Sequence, residues 1–74
     1  MKCEKIEIHT PYIKMDSFLK LAGVASTGGH AKNIIEDKLI KFNGEICTMR
    51  GKKLYPGDIV TFEDNCFEVV EVES

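Results

Sequence analysis

Positive charge is concentrated in one short segment of this 74-residue chain. Arg50, Lys52 and Lys53 occupy three of four consecutive positions, and such cations repel one another unless a polyanion relieves the repulsion. An arginine can hold a phosphate through two parallel hydrogen bonds, whereas a lysine acts as a point charge. The segment therefore favours phosphate binding over an ordinary solvated loop.

Two consecutive glycines offer a second place for an anion. Ser26 or Thr27 is a suitable N-cap for a helix, and Gly28-Gly29 would then lie in the first helical turn. Glycine in a helix costs up to about 1 kcal/mol relative to alanine. Close approach of a phosphate to the backbone explains the pair better than helix propensity does. The alternative is that Gly28-Gly29 forms only a tight turn between two helices.

Three single lysines complete the predicted set. Lys14 precedes a predicted helix, Lys32 follows the glycines by one helical turn, and Lys41 lies in a predicted strand. Lys41 points away from the core if Ile40 and Phe42 point inward, and it is equally explained as the solvent side of that strand. The candidate anion-binding residues are therefore Lys14, Gly28, Gly29, Lys32, Lys41, Arg50, Lys52 and Lys53.

The distribution of charge is strongly polarised although the formal net charge is only −2. Residues 14–53 carry eight cations against four anions, whereas residues 54–74 carry six anions and no cation. A chain polarised in this way can be acidic overall and still present one basic face. The acidic C-terminal third is expected to face away from a polyanion, to guard against indiscriminate binding, or to contact a protein partner.

Length and composition predict one small domain spanning residues 1–74, with 43% apolar and 30% charged residues. No apolar run approaches the roughly 20 residues of a membrane span, and no signal peptide is visible, so we expect a cytoplasmic protein with no membrane contact. The three cysteines are odd in number, widely spaced and without a C-x-x-C pair. They are predicted to be free thiols acting as small apolar groups, without a metal.

Hydrophobic periodicity predicts two short helices after a first strand at residues 5–9. Apolar residues at 15, 18, 19 and 22 form one helical stripe that ends before Gly23. The start of this helix is open, because Thr10-Pro11 could cap a longer one. A second stripe, at residues 31, 34 and 35, predicts a helix that ends near Asp37 or Lys38.

From Leu39 the hydrophobic period changes to two, which predicts strands. Asn43-Gly44 is a strong signal for a hairpin with a type I′ turn. Further strands are predicted at 59–62 and 67–72, and the last loses its alternation, which indicates either a bulge or burial on both faces. The order β-α-α-β-β-β-β predicts an α+β fold with two short helices packed on a small curled, mainly antiparallel sheet.

Several segments taken together resemble the S-four-type RNA-binding domain, also called the alpha-L RNA-binding motif. The resemblance is to the small stand-alone bacterial members, and it depends on the joint order and spacing of the segments. It covers about residues 12–63, in the segments 13–24, 27–32, 40–45, 50–54 and 57–60. The resemblance implies that basic residues of a two-helix element hold the backbone of folded RNA, so the candidate anion-binding residues become candidate RNA-binding residues.

The sequence departs from the family pattern at two positions. Gly28 stands where the pattern commonly has an arginine, and Lys38 stands where a glycine often ends the second helix. The first departure removes a usual phosphate contact, and the second adds a cation nearby. Outside the basic positions, Tyr12, Tyr55 and Phe62 could stack on bases, with Phe62 expected in the core.

The sequence therefore predicts a non-enzymatic protein that contacts the phosphate backbone of structured RNA. By family association the RNA is ribosomal, in ribosome assembly or quality control. No Ser/His/Asp or Cys/His arrangement and no Walker-type phosphate loop is visible, and no cofactor is expected. The alternative is a protein–protein adaptor of ribosomal or replication machinery, in which the RNA-binding fold is idle.

Overall fold

Nine short elements make up the part of the chain that this computed structural model describes, residues 3–72. The predicted β-α-α-β-β-β-β order is found, with two additional two-residue strands at 13–14 and 53–54. The elements are β1 (Cys3–Ile8), β2 (Ile13–Lys14), α1 (Met15–Leu21), α2 (Gly28–Glu36), β3 (Ile40–Phe42), β4 (Glu45–Ile46), β5 (Lys53–Leu54), β6 (Ile59–Phe62) and β7 (Asn65–Glu71).

The strands form one five-stranded sheet and one two-stranded sheet. The larger sheet has the order β1-β7-β6-β3-β4, in which only β1 and β7 run parallel. The smaller sheet pairs β2 with β5 antiparallel. The predicted α+β class with a mainly antiparallel sheet is confirmed, whereas the parallel pairing of the first and last strands was not predicted.

The last strand is paired along both edges and carries buried side chains on both faces. β7 pairs in continuous register with β1 on one side and with β6 on the other. Phe67 and Val69 are buried against the core, while on the opposite face Cys66 is buried and Val70 half-buried. Burial on both faces, rather than a bulge, is therefore the correct alternative.

The helices cover one face of the larger sheet with the predicted apolar stripes. Met15, Phe18 and Leu19 of α1 are fully buried, and the ring of Phe18 meets that of Phe67 edge to face at 6.5 Å. Such a pair adds about 0.5–1.5 kcal/mol beyond the area that it buries. α2 contributes Ala31, Ile34 and Ile35, and the sheet contributes chiefly Ile8, Ile40, Val60, Phe67 and Val69.

Local signals account for most of the helix and turn boundaries. Thr27 is the N-cap of α2, where its Oγ1 accepts a hydrogen bond from the His30 amide at 3.1 Å. Asn43 and Gly44 both have positive φ, 50° and 90°, as a type I′ turn requires. α1 begins at Met15, so Thr10-Pro11 does not start a longer helix.

The prediction of three free thiols is wrong. Parallel pairing places Cys3 of β1 opposite Cys66 of β7, with Cα atoms 4.4 Å apart, and the two form a disulfide while Cys47 is free. The two cysteines are 63 positions apart, so their proximity depends on long-range strand register that spacing does not reveal.

Neither helix within residues 3–72 has the length and apolar character needed to cross a membrane. Over the same range, no group of three His, Cys, Asp or Glu residues is arranged to hold a metal ion.

Candidate nucleic-acid interface

The basic loop lies against the start of α1. The first amides of this helix, of Met15 and Asp16, donate to the carbonyl oxygens of Lys52 and Arg50 at 2.9 and 3.1 Å. No side chain caps α1, so these carbonyls satisfy backbone donors that would otherwise be free. The contact brings Lys14, the residue before the helix, to the loop that carries the other cations.

Strand pairing completes this contact and defines a basic cluster of Lys14, Arg50, Lys52 and Lys53. Lys14 of β2 is the direct cross-strand partner of Lys53 of β5. On the other face of the same strands, Ile13 is half-buried and Leu54 is fully buried in the core. The fold therefore joins four predicted residues that come from two separate segments of the sequence.

The protein itself does not neutralise the basic cluster. Like charges directly opposite each other on paired strands are destabilising, and the Lys14–Lys53 pair has this arrangement. Within residues 3–72 one ion pair lies within 4.0 Å, and it joins Lys32 to Glu36 outside the cluster. Neither lysine of this pair has a carboxylate partner within residues 3–72, so an external anion such as phosphate would relieve the repulsion.

Aromatic rings hold two of these lysines in place. The Nζ atom of Lys52 lies 5.0 Å from the ring centroid of Phe42, and that of Lys53 lies 4.9 Å from the ring centroid of Tyr12. Each contact contributes about 0.5–1 kcal/mol at an exposed site. The contacts restrict both long side chains, so each lysine would lose less entropy on contact with an anion.

The two glycines are the first residues of α2, so the alternative of a simple inter-helix turn is wrong. Neither has a positive φ. A Cβ built on Gly28 meets no atom within 4 Å, and one on Gly29 meets only Thr27 Oγ1, at 4.0 Å. Neither backbone conformation nor internal packing requires glycine, which leaves the predicted close approach of an external group as an explanation.

The two remaining predicted lysines belong to elements outside the basic cluster, Lys32 to α2 and Lys41 to β3. Lys32 is exposed on α2, and its ammonium is 4.0 Å from the Glu36 carboxylate. Lys41 is exposed between buried Ile40 and half-buried Phe42, so it points to the sheet face away from the helices, as the pattern predicted. Because the Phe42 ring that meets Lys52 packs on the core side, Lys41 and Lys52 lie on opposite faces.

The expectation that Phe62 lies in the core is confirmed, since Phe62 is half-buried and packs against the core cluster. The other two stacking candidates, Tyr12 and Tyr55, are exposed. Two features of this region were not predicted from sequence. Tyr12 and Tyr55 are neighbours beside the basic cluster, and an open pocket of about 230 Å³ lies between the Phe42 ring and the loop after β4, beside exposed Ile46 and Met49. The alternation Tyr-x-Lys and Lys-x-Tyr could have indicated the first feature, but nothing local indicates the pocket.

Comparisons with known proteins bear on the family and the fold. The S4 domain family matches residues 6–70. The probable ribosome maturation protein RlbA of Bacillus subtilis (strain 168) is 42% identical over 66 residues, which cover 88% of this chain and 93% of that protein. The solution structure of YbcJ from E. coli, described as an alfaL motif involved in RNA-binding, has a TM-score of 0.70 and 25% identity, covering 95% of this chain and 90% of YbcJ.

Proposed function

The chain belongs to the S4 domain family, and from this premise we propose that it acts as a single RNA-binding domain without enzymatic activity. The ligand is structured RNA, contacted through its phosphate backbone. The observation that carries the proposal is the basic cluster, in which strand pairing and two backbone hydrogen bonds bring four basic residues of two segments together, while none of them forms an ion pair within residues 3–72.

The chemistry of folded RNA fits such a surface. The major groove of an A-form helix is too deep and narrow for side chains to read, so a protein recognises the helix mainly through its phosphates and 2′-hydroxyls. Arg50 would bind one phosphate through two hydrogen bonds. Lys14, Lys52 and Lys53 would act as point charges. The amides of Gly28 and Gly29 would receive a second phosphate, with Lys32 one turn further along α2.

Lys41 has a different place in this proposal. Its side chain points to the sheet face away from the helices, so it contacts RNA only where the RNA wraps around the sheet edge. We therefore expect its replacement to weaken binding least among the predicted residues.

The name of the Bacillus subtilis relative supports ribosomal RNA as the ligand and ribosome maturation as the process. The same binding to ribosomal RNA would also serve the quality control of ribosomes. A bacterial cytoplasmic protein would meet this RNA directly, and contact with other proteins would use the acidic C-terminal third.

A salt titration tests the proposal. The affinity for hairpins from ribosomal RNA is measured by fluorescence anisotropy, and log K is expected to fall with log salt with a slope of about 2–4 in magnitude. The triple charge reversal Arg50→Glu, Lys52→Glu and Lys53→Glu should make this slope shallower. Reversal of Lys5 and Lys20, two exposed lysines outside the basic cluster, is the control. Absence of RNA binding at low salt would contradict the proposal.

A protein–protein adaptor is the second candidate. The open pocket beside Ile46 and Met49 favours it, because these apolar side chains are 57% and 63% exposed. An adaptor would bind no RNA at low salt, and the change Met49→Glu would abolish its association with ribosomal proteins. Retention of RNA binding by this variant would instead support the RNA-binding proposal.

A further inference from the structure

The outer face of the β2–β5 pair carries two tyrosines next to two lysines. Tyr12 is the residue before β2, two positions from Lys14, and Tyr55 is the residue after β5, two positions from Lys53. The antiparallel pairing of Ile13 with Leu54 brings the two tyrosines together, with ring centroids 6.0 Å apart at an angle of 48°, and the Lys53 ammonium lies 4.9 Å from the Tyr12 ring centroid. These four residues form the Tyr–Lys face.

The tyrosine rings are presented to solvent by a fixed backbone. Tyr12 is 37% exposed and Tyr55 is 50% exposed, although both are large aromatic residues. The hydroxyl of Thr10 donates to the Tyr12 carbonyl at 2.6 Å, and the Tyr55 amide donates to the Asp58 carboxylate at 2.8 Å. These hydrogen bonds fix the backbone at both tyrosines, so little backbone entropy is lost when a planar ligand stacks on the rings.

A nucleotide carries both groups that the Tyr–Lys face can bind, an aromatic base and an anionic phosphate. Every base offers a π face for stacking on an aromatic side chain, and every phosphate offers an anion for a lysine pair. Both kinds of group are adjacent here, since the Lys53 ammonium lies 4.9 Å from the Tyr12 ring centroid, so one nucleotide could contact a ring and an ammonium at the same time.

The base must be unpaired to reach the tyrosines. Bases within an A-form helix are stacked on each other, whereas those in bulges, loops and ends can splay out onto aromatic side chains. Lys53 covers one face of the Tyr12 ring, so the more exposed Tyr55 ring is the main stacking surface.

We propose that the Tyr–Lys face binds one unpaired nucleotide, with its base stacked on Tyr55 beside Tyr12 and its phosphate between Lys14 and Lys53. This inference rests on the proposed function and narrows its ligand from structured RNA in general to a helix with an adjacent bulged or terminal nucleotide.

Two RNA hairpins with the same stem test the inference, one fully paired and one with a single bulged 2-aminopurine. The full-length wild-type chain is compared with the double variant Tyr12→Leu, Tyr55→Leu, which keeps apolar bulk but removes both rings. The double variant Tyr12→Phe, Tyr55→Phe is the matched control that keeps the rings. Thermal unfolding of each variant establishes that it is folded.

The wild type should bind the bulged hairpin roughly 5- to 100-fold more tightly than the paired one and should quench the 2-aminopurine, as stacking of one base predicts. The leucine variant should lose both effects while it still binds the paired hairpin, and the phenylalanine variant should keep them. Equal affinity of the wild type for both hairpins would overturn the inference but leave the proposed function standing. Failure to bind either hairpin would overturn the proposed function itself.

Discussion

Replacement of Gly28 and Gly29 by alanine should raise the free energy of unfolding but weaken RNA binding. One set of variants can measure both effects. Both positions are helical, and an added methyl group meets nothing closer than 4.0 Å. Replacement of glycine by alanine at a compatible site stabilises a protein by about 0.4–1 kcal/mol. The double variant should therefore gain about 1–2 kcal/mol in free energy of unfolding.

The expected change in melting temperature follows from the size of the chain. Unfolding entropy is roughly 2.1 cal/mol/K per residue, or about 0.16 kcal/mol/K for the whole chain. A gain of about 1–2 kcal/mol corresponds to a rise in Tm of roughly 6–12 °C. Circular dichroism of wild type and double variant during heating measures this rise.

The effect on RNA binding has a separate physical cause. Methyl groups on the first turn of α2 would hold a phosphate away from the amides of Gly28 and Gly29. Loss of one hydrogen bond to a charged group is worth about 1.5–3 kcal/mol, which corresponds to a roughly 10- to 150-fold weaker affinity. Fluorescence anisotropy with the same ribosomal RNA hairpin measures the difference at constant salt.

Asn33→Ala is the matched control, because Asn33 is an exposed residue of α2 outside its first turn. This variant should stabilise the helix by a few tenths of a kcal/mol and leave RNA affinity unchanged. A Gly28→Ala, Gly29→Ala protein that is more stable and binds RNA as well as the wild type would refute the close-approach explanation. A double variant that is less stable than the wild type would refute the claim that neither helical position requires glycine.

Three further changes have expected outcomes. Lys14→Gln should raise stability by about 0.2–1 kcal/mol in urea denaturation, because it removes the Lys14–Lys53 repulsion, yet it should weaken RNA binding. Lys38→Gly should raise stability by about 0.5–1 kcal/mol, because relief of the strain at a φ of 61° outweighs the extra backbone entropy that glycine loses on folding; an unchanged urea midpoint would contradict this. Reduction of the Cys3–Cys66 disulfide should lower stability by about 4 kcal/mol, since it opens a loop of 63 residues; equal Tm values with and without reductant would argue against the bond.

Elements governed by local chemistry were predicted correctly. The Thr27 cap, the turn at Asn43-Gly44 and the apolar stripes of both helices each depend on residues within a few positions of one another. The positive φ of Lys38 also explains why glycine often ends the second helix in the family pattern, since glycine adopts that conformation without strain.

Features that depend on long-range register were missed. The Cys3–Cys66 bond exists because the first and last strands pair in parallel, and sequence spacing carries no signal for that pairing. The sequence identified Lys14 and Lys53 separately as candidates, but their cross-strand contact required the small β2–β5 sheet. The sequence predicted the side of the sheet that Lys41 occupies. It could not predict the separation of Lys41 from the basic cluster, because that depends on where the helices lie.

Backbone amide chemical shifts of the 15N-labelled protein during titration with a ribosomal RNA hairpin test the central claim most directly. We predict that the largest changes occur at Lys14, at Gly28-Gly29 and in the segment 50–53, and that they weaken with added salt. Changes confined to β1 and β7, or to the pocket beside Ile46 and Met49, with none in the basic cluster, would contradict it.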